Sequence, residues 1–138
     1  MWWVSVGDSP LLIWRSGRLQ RLNADHSLRA VLLEYVSAGT MTCMEAMQRG
    51  HQLRSALTGE PLTLVDSPCV PLPLLPGDRI LVASDGVDAL LLAPVLPHEV
   101  RAILSTPGGN PAVSLVGVCS ELAAPVADNV TVVCVDCE

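Results

Sequence analysis

Lysine is absent from the 138 residues, and all eight cations are arginines scattered along the chain. With a formal charge of −6, no basic stripe and only 3% aromatic residues, the sequence lacks the charge footprint and the stacking platform of a nucleic-acid binder. No unbroken run of eighteen apolar residues occurs, since Pro, Gly, Arg or an acid interrupts every hydrophobic stretch, and the N-terminal segment has no basic end followed by a cleavage site. The expectation is a cytoplasmic protein without a membrane partner. Charge is also scarce: 16% of residues are charged against roughly 25% in an average domain, while 50% are hydrophobic. That balance predicts a large core, or an apolar face covered by another chain. The cysteines are odd in number, at positions 43, 69, 119, 134 and 137, and without framework spacing, as in a reducing compartment.

The length fits one domain, residues 1–138, built around a single core. Residues 2–22 read as three short strands in a meander, separated by Gly7-Asp8-Ser9-Pro10 and Ser16-Gly17. Leu28, Val31, Leu32, Tyr35 and Val36 then follow helical spacing, with Asp25 as the expected cap and Gly39 as the stop. Thr42 and Glu45 form a capping-box pattern for a second helix. Residues 50–78 are expected to be mostly extended, ending in the Pro76-Gly77-Asp78 turn ahead of a buried strand, RILVAS. Helices are predicted near 98–105 and 111–122, the second capped by Asn110 with Pro111 at its first position. A β-branched strand entered through Ala127-Asp128-Asn129 closes the chain. Strands at both ends with helices grouped between them give an α+β class.

Within LVASDGVDALL, residues 81–91, an apolar run breaks at Ser84-Asp85-Gly86 and then resumes. Asp128 occupies a related position, at the start of the last strand. If the two strands pair antiparallel, both carboxylates meet at one sheet edge and offer hard oxygen donors to Mg²⁺ or Mn²⁺. Taken singly, each is an ordinary turn or cap residue.

Four segments in order resemble the metal-dependent protein serine/threonine phosphatases of type 2C (PPM): VGDSPLLIWRSGRLQRLNADHSL at 6–28, QLRSALTGEP at 52–61, LLPGDRILVASDGV at 74–87 and ADNVTVVCV at 127–135. The resemblance implies a partial β-sandwich with helices, the front strands missing, and a flap-like segment at 37–58. It implies that Asp85 and Asp128 are ligands of Mn²⁺ or Mg²⁺, that Gly86 lets the backbone turn beside the ion, and that Asn129 supports the metal loop. The ancestral reaction it implies is metal-dependent hydrolysis of a phosphoprotein, without a covalent intermediate. The family's front acidic segment and phosphate-binding Arg have no counterpart, Pro10 stands where the family has Arg, and Asp88-Ala89 departs from the residues usual after Ser-Asp-Gly. The expectation is therefore an incomplete site, inactive alone, with a homodimer or a completing chain at the open sheet. A non-catalytic binding or regulatory module on the same fold is the other functional class.

Cys134 and Cys137 stand three apart on a strand, so their side chains are expected on opposite faces rather than in a metal pair. His26 is expected to make a structural hydrogen bond, while His51 and His98 read as surface or cap residues. Gly108-Gly109-Asn110-Pro111 reads as a loop before a helix, because the Gly-Lys-Ser/Thr ending of a phosphate loop is missing. Trp2, Trp3 and Trp14 are expected to pack in the core or on the open face. Arg54, which matches an Arg of the resembling segment, reads as a solvated or bracing residue as readily as a phosphate contact.

Overall fold

Four short strands, each rich in branched apolar residues, pair antiparallel in the order β2-β1-β3-β4. In the computed structural model, which describes residues 1–93, 95–122 and 129–138, they are β1 Leu11–Arg15, β2 Arg18–Arg21, β3 Arg79–Ala83 and β4 Val132–Asp136. The β1–β2 hairpin closes through Ser16 and Gly17, both at positive φ (51° and 75°), the type I′ geometry that matches strand twist. Leu12 pairs with Leu81 and Ile13 with Ile80, while Ala83 faces Val132. Alternation puts Leu12, Trp14, Leu81 and Ala83 on one face of the sheet. That face packs with Val87, Leu90, Leu91, Val100, Leu104, Leu115 and Cys119 into the main core. Val82, Val133 and Val135 alternate onto the other face and are about half exposed.

The helices of this half are α3 Asp88–Leu91, α4 His98–Ser105 and α5 Pro111–Leu122; the last two match the predicted spans. Asn110 Oδ1 accepts the Val113 N–H at 3.2 Å, the cap that the sequence anticipates. Among the described residues no helix is long and apolar enough to cross a membrane.

The chain divides into two compact units. One holds Met1, Ser9–Asn23 and Leu72–Glu138, and with them the whole sheet. The other, Trp2–Asp8 with Ala24–Pro71, carries α1 Arg29–Ser37 and α2 Cys43–Arg49. The Thr42–Glu45 capping box is present in full at the start of α2. At α1, by contrast, Leu28 occupies the cap position and Asp25 does not cap: its Oδ1 accepts the Ser27 N–H at 2.8 Å, a local turn formed before the helix begins. Gly39, at φ 72°, stops α1 as expected.

Residues 2–6 do not form the first strand of a meander. Both sides of β1 are occupied, by β2 and β3, and Ser5 instead pairs with Asp66 as an isolated bridge. The 50–71 segment forms no strand either, since its prolines remove ladder donors. It is held by side chains, the buried Ser55 hydroxyl donating to Leu64 O at 2.8 Å and accepting Leu64 N–H at 3.2 Å. Trp14 lies in the core, Trp2 is exposed, and Trp3 Nε1 donates to Asp66 Oδ2 at 2.9 Å.

The Pro76-Gly77-Asp78 turn brings an ion pair with it. Asp78 is buried and accepts from Arg15 Nε at 2.7 Å, from Arg15 Nη2, and from Leu75 N at 2.7 Å. The Arg15 hydrogen bonds hold the Asp78 carboxyl below its ordinary value against the opposing effect of burial. A folded-state value below the unfolded one means that the stabilisation is fully present above the unfolded carboxylate pKa, about 4, and is lost as pH falls through the depressed folded value. Urea titrations on a pH series are therefore expected to show wild-type stability falling through that acid window and a flatter fall in Asp78→Asn. Parallel curves for the two proteins would contradict this assignment.

Candidate functional site at the β3–β4 end

β3 and β4 are antiparallel neighbours, so the end of one strand and the start of the other lie together, as the sequence reading requires. Beyond the Ala83–Val132 pair, Ser84 extends the contact: its N–H donates to Thr131 O at 3.0 Å, its Oγ donates to Asn129 O at 2.9 Å, and its Oγ accepts Thr131 N–H at 3.0 Å. Three hydrogen bonds from one residue fasten the turn to the approach of β4. Asp85–Val87 then forms a single 3-10 turn, with Val87 N donating to Ser84 O at 3.3 Å. The apolar run resumes as Val87, Leu90 and Leu91, all buried in the core, which explains the composition on either side of the break.

Gly86 is required here by space. A Cβ built on it would lie 2.7 Å from Asn129 O and 3.2 Å from Val130 Cγ2. Asn129 enters through its main-chain carbonyl, which lies against Gly86 and accepts from Ser84. Asp85, Gly86 and Asn129 are thus brought to one sheet edge, with Asp85 half-buried in the turn. Asp128 lies outside the described residues. Sequence reasoning assigned no task to Ser84, although a hydroxyl directly before Asp-Gly at a strand end is the signal that marks it.

A divalent cation of the Mg²⁺ or Mn²⁺ type takes several oxygen ligands. Asp85 has the right chemistry, and the close passage of Asn129 past Gly86 fixes the turn that carries it. Among the described residues no group of three His, Cys, Asp or Glu side chains is placed to hold a metal ion. Of the two expected ligands, the described residues place Asp85 at this edge.

The set-aside residues fall where chemistry puts them. His26 is buried, its Nδ1 accepting Gly7 N–H at 3.2 Å while its main-chain N–H donates to Gly7 O at 3.1 Å. His51 and His98 are exposed, and so is Arg54. Gly108 and Gly109, both at φ 73°, form the loop before α5. All five cysteines are free. Burial pushes the Cys119 and Cys134 thiols up, which makes them poor nucleophiles. Cys137 lies beyond the end of β4.

No protein-family model matches the chain, and no curated protein matches it. Solved structures do. The chain is similar to the PPM Ser-Thr phosphatase MsPP of Mycobacterium smegmatis, solved with cacodylate, at 33% identity and a TM-score of 0.71 over 99% of this chain and 56% of that one. It is similar to the Mycobacterium tuberculosis serine/threonine phosphatase PstP/Ppp at 27% identity and a TM-score of 0.64, covering 99% of this chain and 55% of that one. The catalytic domain of PstP in complex with two manganese ions matches at 29% identity and a TM-score of 0.60, covering 98% of this chain and 52% of that one. The chain spans about half the length of the structures it matches.

Proposed function

We propose, from the premise that this chain is a partial PPM Ser/Thr phosphatase domain, that the β3–β4 edge is one part of a metal-dependent phosphoester hydrolysis site. The observation that carries this reading is the Ser84-Asp85-Gly86 turn fastened to Asn129 and Thr131, in a fold shared with phosphatases of which one was solved with two manganese ions. Asp85 and Asp128 would hold Mn²⁺ or Mg²⁺. When bound, the metal would supply charge neutralisation at phosphate and a water of lowered pKa. The chain's own contribution is positional: Ser84 ties the turn down, Gly86 admits the Asn129 carbonyl, and Val87 anchors the far side in the core.

Two carboxylates hold such ions weakly, and the remaining donors would come from a further segment, a completing chain or a second copy of this one. Alone, the chain is accordingly expected to bind Mn²⁺ weakly and to hydrolyse neither an aryl phosphate nor a phosphothreonine peptide. Calorimetric Mn²⁺ titration of the wild type, Asp85→Asn and Asp128→Asn tests the assignment. Heat seen in the wild type and lost in both variants supports it. Equal Mn²⁺ binding by all three would overturn it, and turnover by the wild type that both variants lose would show that these two carboxylates suffice.

A further inference from the structure

We propose that the segment 72–76, which leads into β3, is a docking site for a partner module of the SH3 type, whose aromatic-lined groove takes polyproline II ligands. The sequence Leu72-Pro73-Leu74-Leu75-Pro76 repeats an apolar residue followed by proline at a spacing of three. Polyproline II has about three residues per turn, so this spacing stacks Leu72 with Leu75 and Pro73 with Pro76 in two adjacent columns, the pattern that such grooves read.

The backbone is held in that form. Each proline ring fixes φ at about −65°, and the residue before each proline, Leu72 or Leu75, is confined to extended backbone. None of the five residues is helical or at positive φ. Asp78 N–H donates to Leu75 O at 3.0 Å across Pro76 and Gly77, and Gly77 lies at φ 88°. That is a type II turn, in which the proline ψ of about +120° stays close to polyproline II. Tertiary bonds fasten the segment along its length. Leu72 N–H donates to Met1 O at 3.0 Å, and Leu72 O accepts from the Met1 amino group at 2.7 Å. Pro73 O accepts Arg15 Nη2 at 2.8 Å, and Leu75 N–H donates to Asp78 Oδ2 at 2.7 Å. The side chains, by contrast, face water: Pro73 and Pro76 are exposed, Leu75 is 52% exposed and Leu72 is half-buried. A segment ordered before binding has little entropy left to lose, which favours a short ligand. Arg15 and Arg79 beside it are tied to Asp78 and Asp136, so the fit is to the apolar groove rather than to an acidic pocket flanking it. β3 lies between this segment and Asp85, so docking needs no metal and stands apart from the phosphatase reading.

The test is a ¹⁵N NMR titration of the whole chain in EDTA with an SH3 domain that binds a synthetic Leu-Pro-Leu-Leu-Pro peptide. The amides of Leu74, Leu75 and Gly77 are expected to shift and saturate, with a Kd below about 1 mM. Pro73→Ala, which keeps the carbonyl that Arg15 bonds, and Leu75→Ala should each weaken binding about tenfold, as for loss of one anchor residue at an interface. Leu74→Ala should leave it unchanged, because the middle residue of the repeat stands outside both columns, and so should Asp85→Asn. Leu75→Ala trims an exposed side chain and decides the matter even if Pro73→Ala disturbs the segment. Absence of a saturable shift in the whole chain, with the free peptide binding, would overturn the proposal. So would a loss in Leu74→Ala as large as that in Leu75→Ala, which would mark unspecific apolar adhesion.

Discussion

Arg79→Ala is expected to destabilise the sheet-bearing unit by about 2–4 kcal/mol, through loss of the several hydrogen bonds made by a buried guanidinium. Arg79 opens β3 and is 6% exposed, an unusual place for a guanidinium. It is tolerated because the side chain is well partnered. Nε and Nη2 donate to the two carboxylate oxygens of Asp136 at 2.6 and 3.1 Å, while Nη1 donates to the carbonyls of Ile103 and Leu104 at 3.1 and 3.0 Å. Those carbonyls belong to the last turn of α4, where helix carbonyls lack intrahelical partners and a positive charge is favoured. One side chain therefore joins β3, the edge strand β4 and the end of α4. Alanine would remove the cap of α4, leave a cavity and release the half-exposed Asp136 carboxylate to solvent.

The two ends of this arrangement are not equivalent. Asp136 is 46% exposed, so Asp136→Asn leaves Arg79 bonded to α4 and to one amide oxygen, and about 1–2 kcal/mol is the expected loss. Urea unfolding followed by circular dichroism checks the order: wild type, then Asp136→Asn, then Arg79→Ala, with midpoints falling in that sequence. A loss below about 1 kcal/mol in Arg79→Ala would mean that water, rather than these partners, satisfies the guanidinium.

None of this was legible in the sequence. Arg79 reads as the polar start of an apolar strand, and nothing at residue 79 announces partners at 103, 104 and 136. The same holds for Arg15 with Asp78 and for Trp3 with Asp66, contacts between residues far apart in the chain. What was legible is local. The Thr42–Glu45 box, the Asn110 cap, the Gly39 stop and the turn at Gly77 all follow from residues within a few positions of one another. The spans of α4, α5 and β3 were legible too, β3 from its unbroken apolar run and α5 from its cap residues. The reading failed at residues 2–6, where apolar and β-prone residues look like a strand but both neighbours of β1 are already present. At the candidate site the sequence supplied Asp85 and the antiparallel meeting of the two strand ends. The reason for Gly86 had to come from structure, because an approaching carbonyl 43 residues away in the chain leaves no local trace.

That approach makes Gly86→Ala informative. Where the backbone accommodates alanine, replacing glycine stabilises a protein by about 0.4–1 kcal/mol through the unfolded state. Gly86 is not among the glycines at positive φ, so strain does not oppose the substitution. The contact does: a methyl 2.7 Å from the Asn129 carbonyl oxygen meets main chain, which cannot swing away as a flexible side chain would. The sign should therefore reverse, to a loss of about 1–3 kcal/mol as for other overpacked sites. To make room, Asn129 must withdraw, and the Ser84 Oγ bonds to Asn129 O and from Thr131 N must lengthen with it. Hydrogen exchange at the Thr131 amide should accelerate by more than the global loss of stability accounts for, and Mn²⁺ binding should weaken along with it. Ser84→Ala separates the causes, since it cuts the same two hydrogen bonds without adding a methyl group. If both variants loosen Thr131 and weaken Mn²⁺, the geometry of the turn governs the carboxylate edge. A Gly86→Ala protein as stable as wild type, with Thr131 still protected, would show that the turn accommodates the methyl group and that the close passage of Asn129 is not what requires glycine.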